Sequence, residues 1–296
     1  MNVGKETELE FAMELRLREL NPELHRRFTD TVFALQHMLS HYQLIFPQYT
    51  DHTNLHSLSV IAFCNRLIGE QIVRLNADEL YVLLMSAYGH DTGMGITMKD
   101  YQEFCRKIDF GSYFETHSRD DCAAVIREFH HEFSGCFLQK YAELLELPSR
   151  EHKWAVIQVS RGHRRTNLMD EKEYPFAWPV PGGNTVCLPY LAALIRLADE
   201  IDVAAARNPI LLYDLELLTE SKQMLENRKL KAVRRLEISE KTFTLVVEPT
   251  GEDVREAIRS MMVKMQETLD TCRRAVLGRT PYVITQERVE MKEETA

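Results

Sequence analysis

The chain has 296 residues, 45% hydrophobic and 27% charged, which gives it the means for a large buried core and excludes a disordered chain. Lysine and arginine number 36 against 45 aspartates and glutamates, a formal charge of -9, which excludes coating of bulk nucleic acid and leaves local basic pockets open. The longest apolar stretches, Tyr81–Tyr88 and Leu188–Leu197, fall well short of the roughly 20 residues of a membrane helix, so no membrane partner is expected. Lys5, Glu6 and Glu8 stand where a signal peptide has its apolar core, so a cytosolic location is expected. Cys64, Cys105, Cys122, Cys136, Cys187 and Cys272 are scattered without a Cys-x-x-Cys and read as core thiols.

Apolar residues recur at three- and four-residue steps, so the chain reads as mainly α. A charged amphipathic helix over 5–20 ends at Asn21-Pro22, and a second runs to about Phe46 before Pro47. Helices are predicted over 54–75, 77–89, 98–108, 118–146, 149–162 and 189–206. Between them, 164–188 is a loop, with Tyr174-Pro-Phe-Ala-Trp-Pro-Val-Pro-Gly-Gly at its centre; it is either a lid or a surface wrap packed by Phe176 and Trp178. After Pro209 a polar helix leads to two alternating runs joined at Glu240-Lys241, a β-hairpin. A last helix over 252–277 carries Val254, Ile258, Met261, Met262, Met265 and Leu269 on one face, and the final 17 residues are charged and expected to be loosely held. This divides the chain into a helical domain over 1–210 and a small α+β appendage over 211–296, expected to be non-catalytic and to pack on the helical domain or on a second subunit.

The chemistry lies in histidines and acids at helix ends. His56 falls in the first turn of one predicted helix, and an apolar helix runs straight into His90-Asp91 and then Gly93 and Gly95. Asp199 follows Leu188-Pro-Tyr-Leu-Ala-Ala-Leu-Ile-Arg-Leu-Ala, where a buried carboxylate needs a partner or a cation. Two imidazoles and two carboxylates suit a borderline divalent ion better than calcium. On the face of the 118–146 helix shared by Ile126, Phe133 and Phe137, His130 points inward and His131 one residue step away. His163 ends the next helix. His25, His37, His41, His117 and His152 sit on charged segments and are expected to be solvated, while His52, one turn before His56, reads as a cap or a partner to it.

The order His56, His90-Asp91, Asp199, closed by Leu197-Ala-Asp-Glu-Ile-Asp, resembles the HD superfamily of metal-dependent phosphohydrolases over about residues 45–207. The resemblance implies an HD-type helical bundle and one or two divalent ions (Mn, Fe, Co, Zn or Mg) per chain. It places the first ion on His56, His90, Asp91 and Asp199, with His130 and His163 as additional ligands where two-metal members have them. Asp91 and His130 are then the catalytic residues, acting on a nucleotide-like phosphoester through metal-activated water, and Arg164, Arg165 and Arg207, with Arg161 nearby, are candidates to hold its phosphate. Met94 stands where cyclic-dinucleotide phosphodiesterases of this superfamily have lysine, and their Gly-Tyr-Pro signature is absent. The signatures of the alarmone hydrolases and of the deoxynucleotide triphosphohydrolases are absent too. Two other classes stay open on the same residues: a di-iron oxygenase and a catalytically silent nucleotide sensor. Oligomeric state is open as well.

Overall fold

The helical periodicity produces ten α-helices among the described residues, which are 12–39, 54–203 and 221–294 of a computed structural model. Asn21 separates α1 (Ala12–Leu20) from α2 (Pro22–Leu39), its Oδ1 accepting the Leu24 amide at 3.1 Å while Pro22 presets the first helical turn. α3 (Asn54–Ile68) stops short of the predicted residue 75, because Gly69 takes φ +51° and the chain goes on to Arg74 as a 3-10 turn. α4 (Ala77–Gly89) begins in a reciprocal capping box between Asn76 and Glu79, and each residue from Asp78 to Gly89 is buried. A helix apolar on all sides belongs in the middle of a bundle. Accordingly α1, α2, α3, α7 (Arg150–Arg161) and α8 (Leu188–Ile201) pack around it.

The short α5 (Met98–Phe104) precedes a loop, and α6 (Cys122–Tyr141) starts later than predicted because Asp121 caps it through the Ala124 amide at 3.0 Å. Most of the predicted 164–188 loop is irregular, with a minimal hairpin of β1 (Trp178–Pro179) and β2 (Thr185–Val186). It is held by Tyr174, fully buried with its hydroxyl 2.8 Å from Thr166 Oγ1, and by Trp178, whose ring centroid lies 4.0 Å from that of Trp154. Phe176, expected to share this packing, is instead exposed. A second correction concerns His152, which is buried: its Nε2 lies 2.8 Å from Asp78 Oδ1, and Asn184 donates to the other Asp78 oxygen at 2.7 Å. Burial works against the Asp78 charge, but these hydrogen bonds hold its carboxyl below the usual value and tie α7 and the hairpin to the start of α4.

Toward the C-terminus, α9 (Ser221–Ala232) leads into the predicted antiparallel hairpin of β3 (Val233–Ile238) and β4 (Thr242–Val247). α10 (Glu252–Val276) buries Val254, Ile258, Met265 and Leu269 and packs along α8, so this region completes the core of its own chain. The described part of the charged C-terminal segment, 280–294, is packed rather than loose. β5 (Arg288–Glu293) pairs parallel to β4, with Phe243 opposite Val289 and Leu245 opposite Met291, and so covers an otherwise open edge. Before it, Tyr282 stacks on Tyr190 at 4.3 Å and donates to Glu79 Oε2 at 2.7 Å, closing a strap over the starts of α4 and α8. Among the described residues no helix is long and apolar enough to cross a membrane.

Candidate metal centre

Six side chains from distant parts of the chain meet at the ends of the buried helices. His56 comes from the first turn of α3, His90 caps the end of α4 with Asp91 next to it, and His130 lies within α6. His163 follows the end of α7, and Asp199 lies in the last turn of α8. All but Asp199 are buried, and Asp199 is half-buried.

Three of the four histidines use one local device. Nδ1 of His90, His130 and His163 lies 2.8, 2.7 and 2.6 Å from the backbone carbonyl three residues earlier, those of Ala87, Arg127 and Ser160. A carbonyl can only accept, so in each ring Nδ1 carries a proton and the neutral ring leaves Nε2 its lone pair. His56 reaches the same state through Asp202, whose Oδ2 is 2.7 Å from its Nδ1. The lone pairs face each other: the two Nε2 atoms of His56 and His90 are 3.2 Å apart, and those of His130 and His163 are 2.9 Å apart. Opposed lone pairs repel, and a cation shared by each pair turns that repulsion into coordination. Burial pushes the His130 imidazole down to about 3 and that of His163 well below its ordinary value, so both are neutral donors at neutral pH.

Asp91 stands between the pairs. Its Oδ2 is 3.4 Å from His90 Nε2 and 3.6 Å from His56 Nε2, while its Oδ1 is 3.5 Å from His130 Nε2 and 3.8 Å from His163 Nε2. Asp199 Oδ1 adds a contact of 3.1 Å to His56 Nε2. Two groups able to hold a metal result, His56 with His90 and Asp199, and Asp91 with His130 and His163. The mixed nitrogen and oxygen donors fit a divalent transition ion.

Buried hydrogen bonds tie the scaffold around the cluster together. Ser134 Oγ donates to the His90 carbonyl at 2.6 Å and accepts the Gly93 amide at 2.8 Å, which pins α6 to the turn after Asp91. Gly93 lets that approach happen: a Cβ there would lie 2.3 Å from the His130 carbonyl oxygen and 2.6 Å from the Ser134 nitrogen, both backbone atoms. Gly93→Ala should therefore destabilise the fold by about 3 kcal/mol, read as a lowered midpoint in urea. An unchanged midpoint would show that the two segments are less tightly docked than this. Arg196, buried in α8, donates to the Gly162 carbonyl at 2.7 Å and the Thr166 carbonyl at 2.8 Å, and so fixes the turn that carries His163.

Of the adjacent pair on α6, His130 enters the cluster; the His131 ring is 6.4 Å from that of His163, and its buried Nδ1 has no hydrogen-bond partner. Arg164 lies close enough for its charge, after burial, to lower both imidazoles further, and among the described residues its buried Nε has no hydrogen-bond partner. Arg165 is exposed and paired with Glu128, and Arg161 is held by Glu132 at 2.8 Å. Arg207 and His52 lie outside the described residues. Sequence reasoning missed Asp202; its signal was its place three residues after Asp199, on the same side of the helix end.

The HD-CE family, a domain of the HD type, matches residues 46–281. The chain belongs to the HD-CE family. The matched span runs from before α3 into the strap that follows α10, so it takes in all six residues of the cluster as well as the C-terminal sheet hairpin. No curated protein and no solved structure gives a significant match to this HD-CE protein.

Proposed function

We propose that this HD-CE protein is a metal-dependent phosphohydrolase acting on a nucleotide or related phosphoester. The observation that carries the reading is the set of four imidazole Nε2 lone pairs facing one another in two pairs across the two oxygens of Asp91. In this reading His56, His90 and Asp199 hold one divalent ion, His130 and His163 hold a second, and Asp91 is shared. Such ions, when bound, polarise a phosphoryl oxygen and bring the pKa of a coordinated water toward about 7.

The chain's own residues do the rest. The carbonyls of Ala87, Arg127 and Ser160 and the carboxylate of Asp202 fix the tautomer and aim of each imidazole. Asp91 supplies negative charge at the centre, where it orients the attacking water, and His130 presents its Nε2 lone pair 3.5 Å from that carboxylate's second oxygen, as a ligand of the second ion. Arg164 donates from its guanidinium to the phosphate oxygens, which gives its buried Nε a partner. Arg165 and Arg207 are further contacts for the phosphate.

Asp202→Ala should lower metal affinity about 10–100-fold while the six ligands remain, as measured by competition with a chelating dye. Metal affinity equal to wild type would remove Asp202 from the account. The activity itself is tested by incubating the purified protein with Mn, Mg, Fe or Co and a panel of nucleotides and phosphoesters, following phosphate and nucleotide products and dissolved oxygen together. Phosphate or nucleotide release without oxygen uptake is the expected result. Oxygen uptake without phosphate release would reassign the site to di-iron oxygenase chemistry, and tight binding without turnover would reassign it to sensing.

A further inference from the structure

A cavity of about 300 Å³ opens between α5 and the loop after it, walled by Tyr101, Cys105, Arg106, Phe110, Phe114 and Arg119. None of these residues belongs to the histidine cluster. Its composition is unusual for a surface hollow: three aromatic rings and two guanidinium groups. The Arg119 guanidinium lies 4.0 Å from the centre of the Phe114 ring. Among the described residues neither Arg106 nor Arg119 forms an ion pair, although acidic residues are in excess over the whole chain. Aromatic side chains lining a hollow, beside cations not neutralised by a carboxylate, suit a planar aromatic molecule bearing a negative charge. The volume is at the lower end of small-molecule sites and matches such a ligand.

The inner wall connects to the metal centre through α6. Phe110 packs on Phe129 with centroids 4.9 Å apart, and Tyr101 stacks on Phe133 at 5.6 Å. Phe129 and Phe133 flank His130 along the same helix, and Phe129 is where α6 breaks, with φ -113° and ψ 16°. An irregular turn inside a helix, next to a functional side chain, is a place where a packing change is readily transmitted. We infer that this cavity is a second ligand site, separate from the metal centre, that binds a planar aromatic anion such as a purine monophosphate and bears on His130 through the break at Phe129.

The inference stands apart from the hydrolase reading, and its test reads binding alone. AMP is titrated calorimetrically into the full-length metal-loaded protein, into Asp91→Ala, and into the double variant Arg106→Ala/Arg119→Ala, whose changes lie on exposed side chains. Saturable binding to the wild type, kept within threefold in Asp91→Ala and weakened at least tenfold in the arginine variant, is the expected result. Inorganic phosphate should bind at least tenfold more weakly than AMP, since it lacks the ring. No saturable AMP binding overturns the proposal. So does binding that Asp91→Ala abolishes and the arginine variant leaves unchanged, because the ligand is then at the metal centre. Phosphate binding as tight as AMP would show that the rings recognise nothing. A thermal melt of the arginine variant that matches wild type confirms that its loss of binding is not one of folding.

Discussion

Asp91→Ala is expected to lower hydrolytic activity at least about 10³-fold and to cut metal content per chain, because this one carboxylate faces both histidine pairs. The effect on stability should run the other way. A carboxylate buried among imidazoles is costly without a bound cation, so chelator-treated Asp91→Ala should melt no lower than chelator-treated wild type. The metal-loaded proteins should reverse that order, since ions bound to the native state stabilise it by mass action. Activity and metal content are measured side by side with thermal melts in chelator and in Mn. If Asp91→Ala keeps wild-type metal content, Asp91 is not the shared ligand.

Removing residues 279–296 is expected to have the largest effect on stability of any change distant from the cluster. The truncation takes away Tyr282 and Ile284, both buried, together with β5, and it leaves β4 with an open edge and Glu79 without its phenol partner. Loss of one buried aromatic side chain alone costs about 3–5 kcal/mol. For a chain of this size that corresponds to a fall in melting temperature on the order of 10 °C or more. The strap makes no contact with the six candidate ligands in the interactions described, so metal content at low temperature should stay at the wild-type level. A melting temperature within about 2 °C of wild type would mean the strap is only laid on the surface.

The legible parts of this protein are those fixed by local rules. α4 was readable to the residue, because Asn76 and Glu79 mark its start and the apolar run ends at Gly89. His90-Asp91 at that end, and Asp199 late in an apolar helix, were readable as misplaced polarity. What convergence the sequence could not display depended on partners far apart in the chain. β5 reads as a charged tail until β4, some 45 residues earlier, offers it an edge. His152 reads as solvated because its partner Asp78 is 74 positions away. Asp202 was passed over because a carboxylate aimed at a histidine's far nitrogen leaves no periodicity of its own. The break at Phe129 has no glycine or proline to announce it, and its ring packs on Phe110 and Tyr113 from a separate part of the chain.

The central claim is that one buried carboxylate is shared by two metal ions, and anomalous diffraction from crystals grown with Mn addresses it directly. Two anomalous peaks are expected, one against His56, His90 and Asp199, the other against His130 and His163, with Asp91 reaching both. A single peak, or metal bound elsewhere while the facing Nε2 atoms stay 3.2 and 2.9 Å apart, would contradict it.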